Sequence, residues 1–142
     1  MHQGGCLCGK IQYEIISDLR VIVNCHCKYC RRAHGAAFVT LLLMQSSSLR
    51  ITQGGEMLGK FHIETTGVDR CFCLHCGTRL YNHVLSKQRL ALVVETLQND
   101  KGIQPIAHCN TESKSSWYAI SDELPQFSKA PSPTEIESLL AT

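Results

Sequence analysis

Hydrophobic positions recur along this chain mostly in short, alternating runs. Ile11, Tyr13 and Ile15 alternate with polar residues in the stretch 10–16, which is the period of a half-buried β-strand. Gly, Ser and Asp separate further short hydrophobic runs, of which 36–43 is typical of a buried strand. We predict additional strands over residues 20–23, 36–43, 49–52, 60–65, 68–72, 78–83, 90–96 and 117–120. The pattern indicates a mainly β fold.

Two stretches have a helical pattern instead. Residues 29–34 predict a turn of helix directly after a group of cysteines. Residues 133–141 begin with Pro, Thr and Glu and then place Ile136, Leu139 and Leu140 at helical spacing. We predict a polar loop over 110–116 and an extended tail over 125–133. Because no linker separates two hydrophobic cores, we predict a single domain over residues 1–142.

Composition and charge narrow the class of protein. The chain has 142 residues, 44% of them hydrophobic and 18% charged, which is typical of one globular domain. The N-terminal residues lack a basic start and an apolar run, and the longest apolar stretch, 36–44, is too short to cross a bilayer. We therefore expect a cytoplasmic protein without a membrane partner. The formal charge of +2 does not favour nucleic acid, because thiolates that bind metal add negative charge.

Cysteine usage is the unusual feature of the composition. The chain has nine cysteines, and in a reducing compartment clustered cysteines are more often metal ligands or catalytic groups than disulfides. The clusters contain Cys6 and Cys8; Cys25, Cys27 and Cys30; and Cys71, Cys73 and Cys76. In a Cys-x-x-Cys pair the chain turns back so that both sulfurs face one ion. The alternatives are buried free thiols, a redox dithiol or an iron–sulfur cluster, but two such pairs favour tetrahedral zinc.

Coordination numbers suggest two different zinc sites. Cys6 and Cys8 need two more sulfurs to complete a closed, four-coordinate site, and one Cys-x-x-Cys pair provides them. Three cysteines then remain for a second ion, which keeps one open position. Closed sites stabilise folds, whereas three protein ligands and an open position are typical of catalytic zinc. Spacing alone does not decide which cluster forms the open site.

Three motifs resemble a known family. They are Gly4 to Gly9 around Cys-Leu-Cys, Cys25 to Arg31, and Phe72 to Gly77. Their order and intervals resemble the glutathione-dependent formaldehyde-activating family, also called the centromere protein V-type zinc domain, over about residues 4–131. His108, Trp117 and the segment 122–127 resemble its C-terminal part.

This resemblance implies a fold, two zinc ions per chain and an activity. The implied fold is a β-tent of small antiparallel sheets around a structural zinc, with a short C-terminal helix. The implied structural ligands are Cys6, Cys8, Cys73 and Cys76, and the implied catalytic zinc ligands are Cys25, Cys27 and Cys30. The implied activity is that of a carbon–sulfur lyase which condenses formaldehyde with glutathione to S-(hydroxymethyl)glutathione. Cys71 and Cys109 lie outside the family pattern, and either of them could close the second site.

Residues near the second cluster suggest further roles. Glutathione is an anion, and Lys28, Arg31 and Arg32 could bind its carboxylates. His26 and His34 are candidates to shuttle a proton. By contrast, we expect Trp117 and Tyr118 to be core residues, and we expect His75 to be exposed.

Two classes of function fit these observations. One is an enzyme that acts on a small thiol such as glutathione, and the other is a non-catalytic zinc domain that binds protein or nucleic acid. A binding module of the second class typically has a dense basic or aromatic surface stripe. With 14 basic residues against 12 acidic ones and 6% aromatic residues, the sequence favours the enzyme.

Overall fold

The structure of the chain, a computed structural model, describes residues 1–141. The strands within this range are β1 His2–Gly5, β2 Gln12–Ile15, β3 Ile22–Cys25, β4 Val39–Gln45, β5 Leu49–Gln53, β6 Leu58–Ile63, β7 Val68–Cys73, β8 Arg79–Val84, β9 Arg89–Val93 and β10 Ala107–Cys109. The α-helices are α1 Lys28–His34 and α2 Pro133–Leu140. The predicted mainly β fold with a short C-terminal helix is confirmed.

The chain forms two compact units, and each is built from two separate stretches of sequence. The first unit comprises Met1–Asp18 and Leu42–Gly102. The second comprises Leu19–Leu41 and the residues from Ile103 onward, so β4 contributes residues to both. The single-domain organisation stays a prediction.

Antiparallel pairing organises the first unit. Strands β1, β2 and β5 form a three-stranded antiparallel sheet, with Tyr13 opposite both Gly4 and Ile51. Strands β6 to β9 pair in sequence order by successive antiparallel contacts. The alternation of Ile11, Tyr13 and Ile15 is confirmed, since all three side chains are fully buried. The Tyr13 hydroxyl lies 2.7 Å from Thr96 Oγ1, so this buried phenol has a hydrogen-bond partner.

A parallel strand pair organises the second unit. Strand β10 pairs with β3 in a register that places His108 beside Asn24 and Cys109 beside Cys25. On the other side of β10, the predicted extended tail is confirmed next to His108. The His108 N–H donates to the Pro125 carbonyl, and the Phe127 N–H donates to the His108 carbonyl.

Local sequence signals explain both helices. Cys27 caps α1 by accepting a hydrogen bond from the Cys30 N–H, and Gly35 ends the helix with a φ of 61°. At α2, Ser132 and Glu135 form a reciprocal capping box, and Pro133 occupies the first helical position. The predictions of helix at 29–34 and 133–141 are therefore confirmed to within a residue or two.

The prediction of a strand over residues 117–120 is wrong. The Tyr118 N–H donates to the Ser115 carbonyl, and the Lys114 ammonium donates to the carbonyls of Ser115 and Tyr118. These bonds hold the backbone in a turn. Trp117 is 74% exposed, so its predicted place in the core is also wrong, whereas His75 is exposed as expected.

Candidate metal centres

Four cysteines of the first unit converge to one group. The sulfurs of Cys6, Cys8, Cys73 and Cys76 all lie within 4.8 Å of one another. Cys6 Sγ is 3.5 Å from Cys8 Sγ, which is 3.9 Å from Cys73 Sγ. A zinc–sulfur distance of about 2.3 Å requires tetrahedral edges of about 3.8 Å, so these sulfurs fit one tetrahedral ion.

Two loops place these four sulfurs. Cys6 and Cys8 follow β1 in a tight turn in which the Gly9 N–H donates to the Cys6 carbonyl. The Ile11 N–H then donates to Cys6 Sγ at 3.3 Å. Cys73 ends β7, and Cys76 lies in the turn before β8. The predicted Cys-x-x-Cys geometry therefore forms where two strands are joined.

Thr78 supports this group from outside. Its hydroxyl oxygen accepts the Leu7 N–H at 3.0 Å and lies 3.2 Å from Cys76 Sγ. Since the oxygen is the acceptor for Leu7, its hydrogen is available to the Cys76 sulfur. This hydrogen bond, together with one from the Thr78 backbone, lowers the pKa of Cys76 to about 5. Donors of this kind stabilise the thiolates that a metal requires.

Three cysteines of the second unit form the other group. The sulfurs of Cys25, Cys27 and Cys30 lie within 4.8 Å of one another. Cys25 ends β3, Cys27 is the N-cap of α1, and Cys30 lies in its first turn. Cys25 and Cys30 are buried and Cys27 is partly exposed. Like the first group, this one could hold a metal ion, but with three protein ligands instead of four.

A fourth thiol, Cys109, lies next to this group. It is buried at 5% exposure and is paired with Cys25 in the β10–β3 register. The Asn110 side-chain amide donates to both sulfurs, at 3.4 Å to Cys25 and 3.6 Å to Cys109. Sequence reasoning named Cys109 as an outlier and missed Asn110, which has no motif of its own.

Cys71 belongs to neither group within residues 1–141. It lies in β7 opposite Tyr81. Burial raises the pKa of Cys71, which favours the neutral thiol.

His26 is part of a buried hydrogen-bonded chain that ends at a carboxylate. His26 Nε2 lies 2.8 Å from His108 Nδ1, and His108 Nε2 lies 2.9 Å from Asp122 Oδ2. The two imidazoles are 0% and 1% exposed. Burial lowers the pKa of His26, and the hydrogen bond from His108 lowers that of Asp122. The two shifts favour a neutral His26 and an ionised Asp122 carboxylate.

The hydrogen-bond network assigns the tautomers of both rings. Asp122 is an acceptor, so His108 carries a proton on Nε2 and, as a neutral ring, accepts at Nδ1. His26 must then donate from Nε2, which leaves a lone pair on its Nδ1. That buried atom has no hydrogen-bond partner among residues 1–141. Sequence reasoning singled out His26 but missed Asp122.

The predicted basic residues have different surroundings. Arg31 is half-buried, and its guanidinium donates to the His26 carbonyl at 3.2 Å and to Ser115 Oγ at 3.3 Å. Lys28 and Arg32 are exposed, and the Lys28 ammonium lies 5.4 Å from the Tyr29 ring centre. His34 is half-buried in the last turn of α1. The roles predicted for these four residues stay predictions.

Within residues 1–141, no helix combines the length and the apolar character that a membrane span requires.

Comparison with known proteins places this chain in a family. A model of the glutathione-dependent formaldehyde-activating enzyme matches residues 1–113. A Schizosaccharomyces pombe protein, named an uncharacterized lyase, is 31% identical over 80 residues. The aligned part is 56% of this chain and 56% of that protein, so the chain spans about half the length of this curated relative.

A solved structure shares the fold. The crystal structure of a Rhodobacter sphaeroides protein, a structural-genomics target, is similar with a TM-score of 0.59. The similarity covers 72% of this chain and 91% of that one at 24% sequence identity. Together with the family model, which matches well over half of the sequence, these findings identify the chain as a member of the glutathione-dependent formaldehyde-activating enzyme family.

Proposed function

We propose that this protein is a zinc-dependent carbon–sulfur lyase that resembles S-(hydroxymethyl)glutathione synthase. It joins glutathione, or another small thiol, to formaldehyde or a related carbonyl compound. The observation that carries the proposal is the division of seven cysteines into a group of four and a group of three. The family match and the lyase name of the fission-yeast relative support the reaction class.

The donor set favours zinc at both groups. Thiolate sulfur is a preferred ligand of Zn²⁺, and the group of four has sulfur separations close to a tetrahedral edge. In this proposal the chain binds two zinc ions. The four-cysteine ion stabilises the first unit, and the three-cysteine group of the second unit binds substrate.

A zinc ion bound by the three-cysteine group would be better suited to activate the thiol substrate than the carbonyl substrate. Two thiolates already balance the charge of Zn²⁺, so a third makes the ion a weak Lewis acid. When bound there, zinc supplies a position at which a substrate thiol is held as a thiolate at neutral pH. Cys25, Cys27 and Cys30 fix that position, and α1 keeps Cys27 and Cys30 in register through the cap.

The exposed basic residues of α1 supply charge for an anionic thiol. Lys28 and Arg32 are exposed on this short helix, close in sequence to Cys27 and Cys30. We assign glutathione carboxylates to these two side chains first. Arg31 already bridges the His26 carbonyl and Ser115, and it contributes through its remaining N–H donors.

The test combines metal content with the rate of adduct formation. We expect close to two zinc ions per chain. We also expect the protein to accelerate the exchange between ¹³C-labelled formaldehyde and its glutathione adduct, which NMR measures. Cys27→Ser is expected to lose one ion and return the rate to background, because it removes one of three ligands. Arg32→Ala is expected to keep both ions and to weaken glutathione binding severalfold.

Cys71→Ser is the matched control, since it removes a buried thiol that belongs to neither group and keeps a hydroxyl next to Tyr81. It should retain both ions and the wild-type rate. A wild-type protein with two zinc ions and no rate above background would contradict the lyase proposal. That result would favour the non-catalytic zinc domain that binds protein or nucleic acid.

A further inference from the structure

Cys109 and Cys25 are neighbours because of strand register. The parallel pairing of β10 with β3 places the two residues side by side, and side chains at paired positions point to the same face of a sheet. A backbone hydrogen bond also holds the two strands together at this point, since the His26 N–H donates to the Cys109 carbonyl at 3.0 Å. Cys109 therefore has a fixed place next to the three-cysteine group.

Asn110 orients a donor toward both sulfurs. Its backbone adopts a φ of 57°, a left-handed conformation that asparagine tolerates better than most residues. Its N–H donates to the Lys129 carbonyl, and its carbonyl accepts the Ser113 N–H. The side-chain amide is thereby held 3.4 Å from Cys25 Sγ and 3.6 Å from Cys109 Sγ. An N–H shared by two sulfurs is typical of the outer hydrogen bonds that support metal-bound thiolates.

Cys109 is associated with the group less closely than its three members are with each other. Its sulfur shares the Asn110 amide donor with the Cys25 sulfur, but it is not among the sulfurs that all lie within 4.8 Å of one another. A fixed fourth ligand would share tetrahedral edges of about 3.8 Å with all three. Cys109 thus lies where a sulfur ligand could reach the metal site and be replaced by another ligand.

We propose that Cys109 is an exchangeable fourth sulfur ligand at the three-cysteine metal site. It occupies, in the absence of substrate, the position that the substrate thiol takes during the proposed reaction. This inference rests on the proposed function for its substrate. The exchange involves no oxidation: one metal–sulfur contact is replaced by another, and the proton of the incoming thiol passes to the Cys109 sulfur. Small thiols therefore compete with Cys109, which lowers their apparent affinity.

The test uses the full chain reconstituted with cobalt, without formaldehyde, so that its result does not depend on activity. Cys109→Ser and Cys109→Ala should reduce the intensity of the sulfur-to-cobalt charge-transfer bands by the contribution of one thiolate ligand. Added glutathione or 2-mercaptoethanol should restore the bands in these variants, with a dissociation constant about tenfold or more below that of the wild type. Cys71→Ser should leave both the spectrum and the affinity unchanged.

Zinc-edge X-ray absorption of the wild-type protein gives a measurement that needs no variant. An average of four sulfurs per ion is expected, against about three and a half if the second ion has only three protein sulfurs. That lower value, or Cys109 variants with a wild-type spectrum and wild-type thiol affinity, would overturn the proposal. If the Cys109 variants change the cobalt spectrum but the protein forms no adduct, the Cys109 inference holds and only the lyase proposal is refuted. Adduct formation without the spectral change refutes only the role of Cys109.

Discussion

At the scale of single residues, hydrogen-bond direction determines what each buried polar atom can do. The Asp122–His108–His26 chain has one acceptor end, so each ring in turn is forced into one tautomer. Asp122 is itself oriented, because its Oδ1 accepts the Leu124 N–H at 2.9 Å. The exposed carboxylate therefore controls the proton position on a fully buried imidazole.

Asp122→Asn should invert this chain. The Leu124 N–H keeps the amide oxygen at the Oδ1 position, so the amide N–H₂ faces His108 Nε2. His108 must then carry its proton on Nδ1 and donate to His26 Nε2, which moves the His26 proton to Nδ1. Long-range ¹H–¹⁵N correlation spectra of the zinc-loaded protein at neutral pH distinguish the two tautomers.

Glu123→Gln is the control for this experiment, because it removes a neighbouring exposed carboxylate that no hydrogen bond links to His108. It should leave both histidines in their wild-type tautomers. Identical ring spectra for Asp122→Asn and the wild type would show that Asp122 does not set the tautomer of His26.

At the scale of elements, the turn after β1 that carries Cys6 and Cys8 packs against the end of β5. Gly54 follows β5 with a φ of 76°, and a Cβ at this position would overlap the Lys10 carbonyl. The backbone of the turn that carries Cys6 and Cys8 can approach β5 this closely only because residue 54 has no side chain. The geometry of the four-cysteine group thus depends on a residue outside the cysteine motif.

Gly54→Ala should destabilise the protein by about 3 kcal/mol or more, since a left-handed alanine costs about 1 kcal/mol and the clash is with backbone. Thermal or urea unfolding measures the loss. Gly55→Ala is the matched control, because its added Cβ would be 3.7 Å from the Ile51 side chain, an ordinary contact. It should change the unfolding free energy by about 0.5 kcal/mol or less. Equal losses from both variants would mean that the contact with Lys10 does not matter.

At the scale of the whole molecule, each compact unit contains its own cysteine group. The group of four lies in the first unit and the group of three in the second. The four sulfurs come from loops more than sixty residues apart, so a shared ion would close a long loop and stabilise the first unit. The three cysteines lie within six consecutive residues, and an ion there closes almost no loop.

Cys73→Ser and Cys27→Ser should therefore differ in stability. Cys73→Ser should forfeit a large part of the folding free energy supplied by a structural ion, which is about 10–16 kcal/mol in zinc-finger peptides. We expect early melting or aggregation. Cys27→Ser should lose one ion and keep hydrogen-exchange protection in β8 and β9 of the first unit. Scanning calorimetry with metal analysis provides the comparison, and equal destabilisation by both variants would refute the structural and substrate-binding division.

The sequence alone determined the features that depend on nearby residues. Short β-type hydrophobic runs located most strands, as in the alternation of Ile11, Tyr13 and Ile15, because successive side chains of a strand point to opposite faces whatever its partner. Cysteine spacing located the two Cys-x-x-Cys pairs, because a two-residue gap turns the chain back locally. The assignment of these pairs to a group of four and a group of three came from the family resemblance. The capping residues of α2 were equally readable, since a cap acts within one turn.

Only the tertiary structure decided the features that depend on pairing between distant segments. Strands β1 and β10 were missed because one is rich in glycine and the other has three residues, so pairing rather than side-chain pattern forms them. The stretch 117–120 differs from the predicted strand at Tyr118, whose carbonyl accepts from the Lys114 ammonium. Strand register places Cys109 beside Cys25, and packing brings His108 to His26, 82 residues away in sequence. No local period encodes such contacts, because they exist only once the backbone of β10 has found its partner.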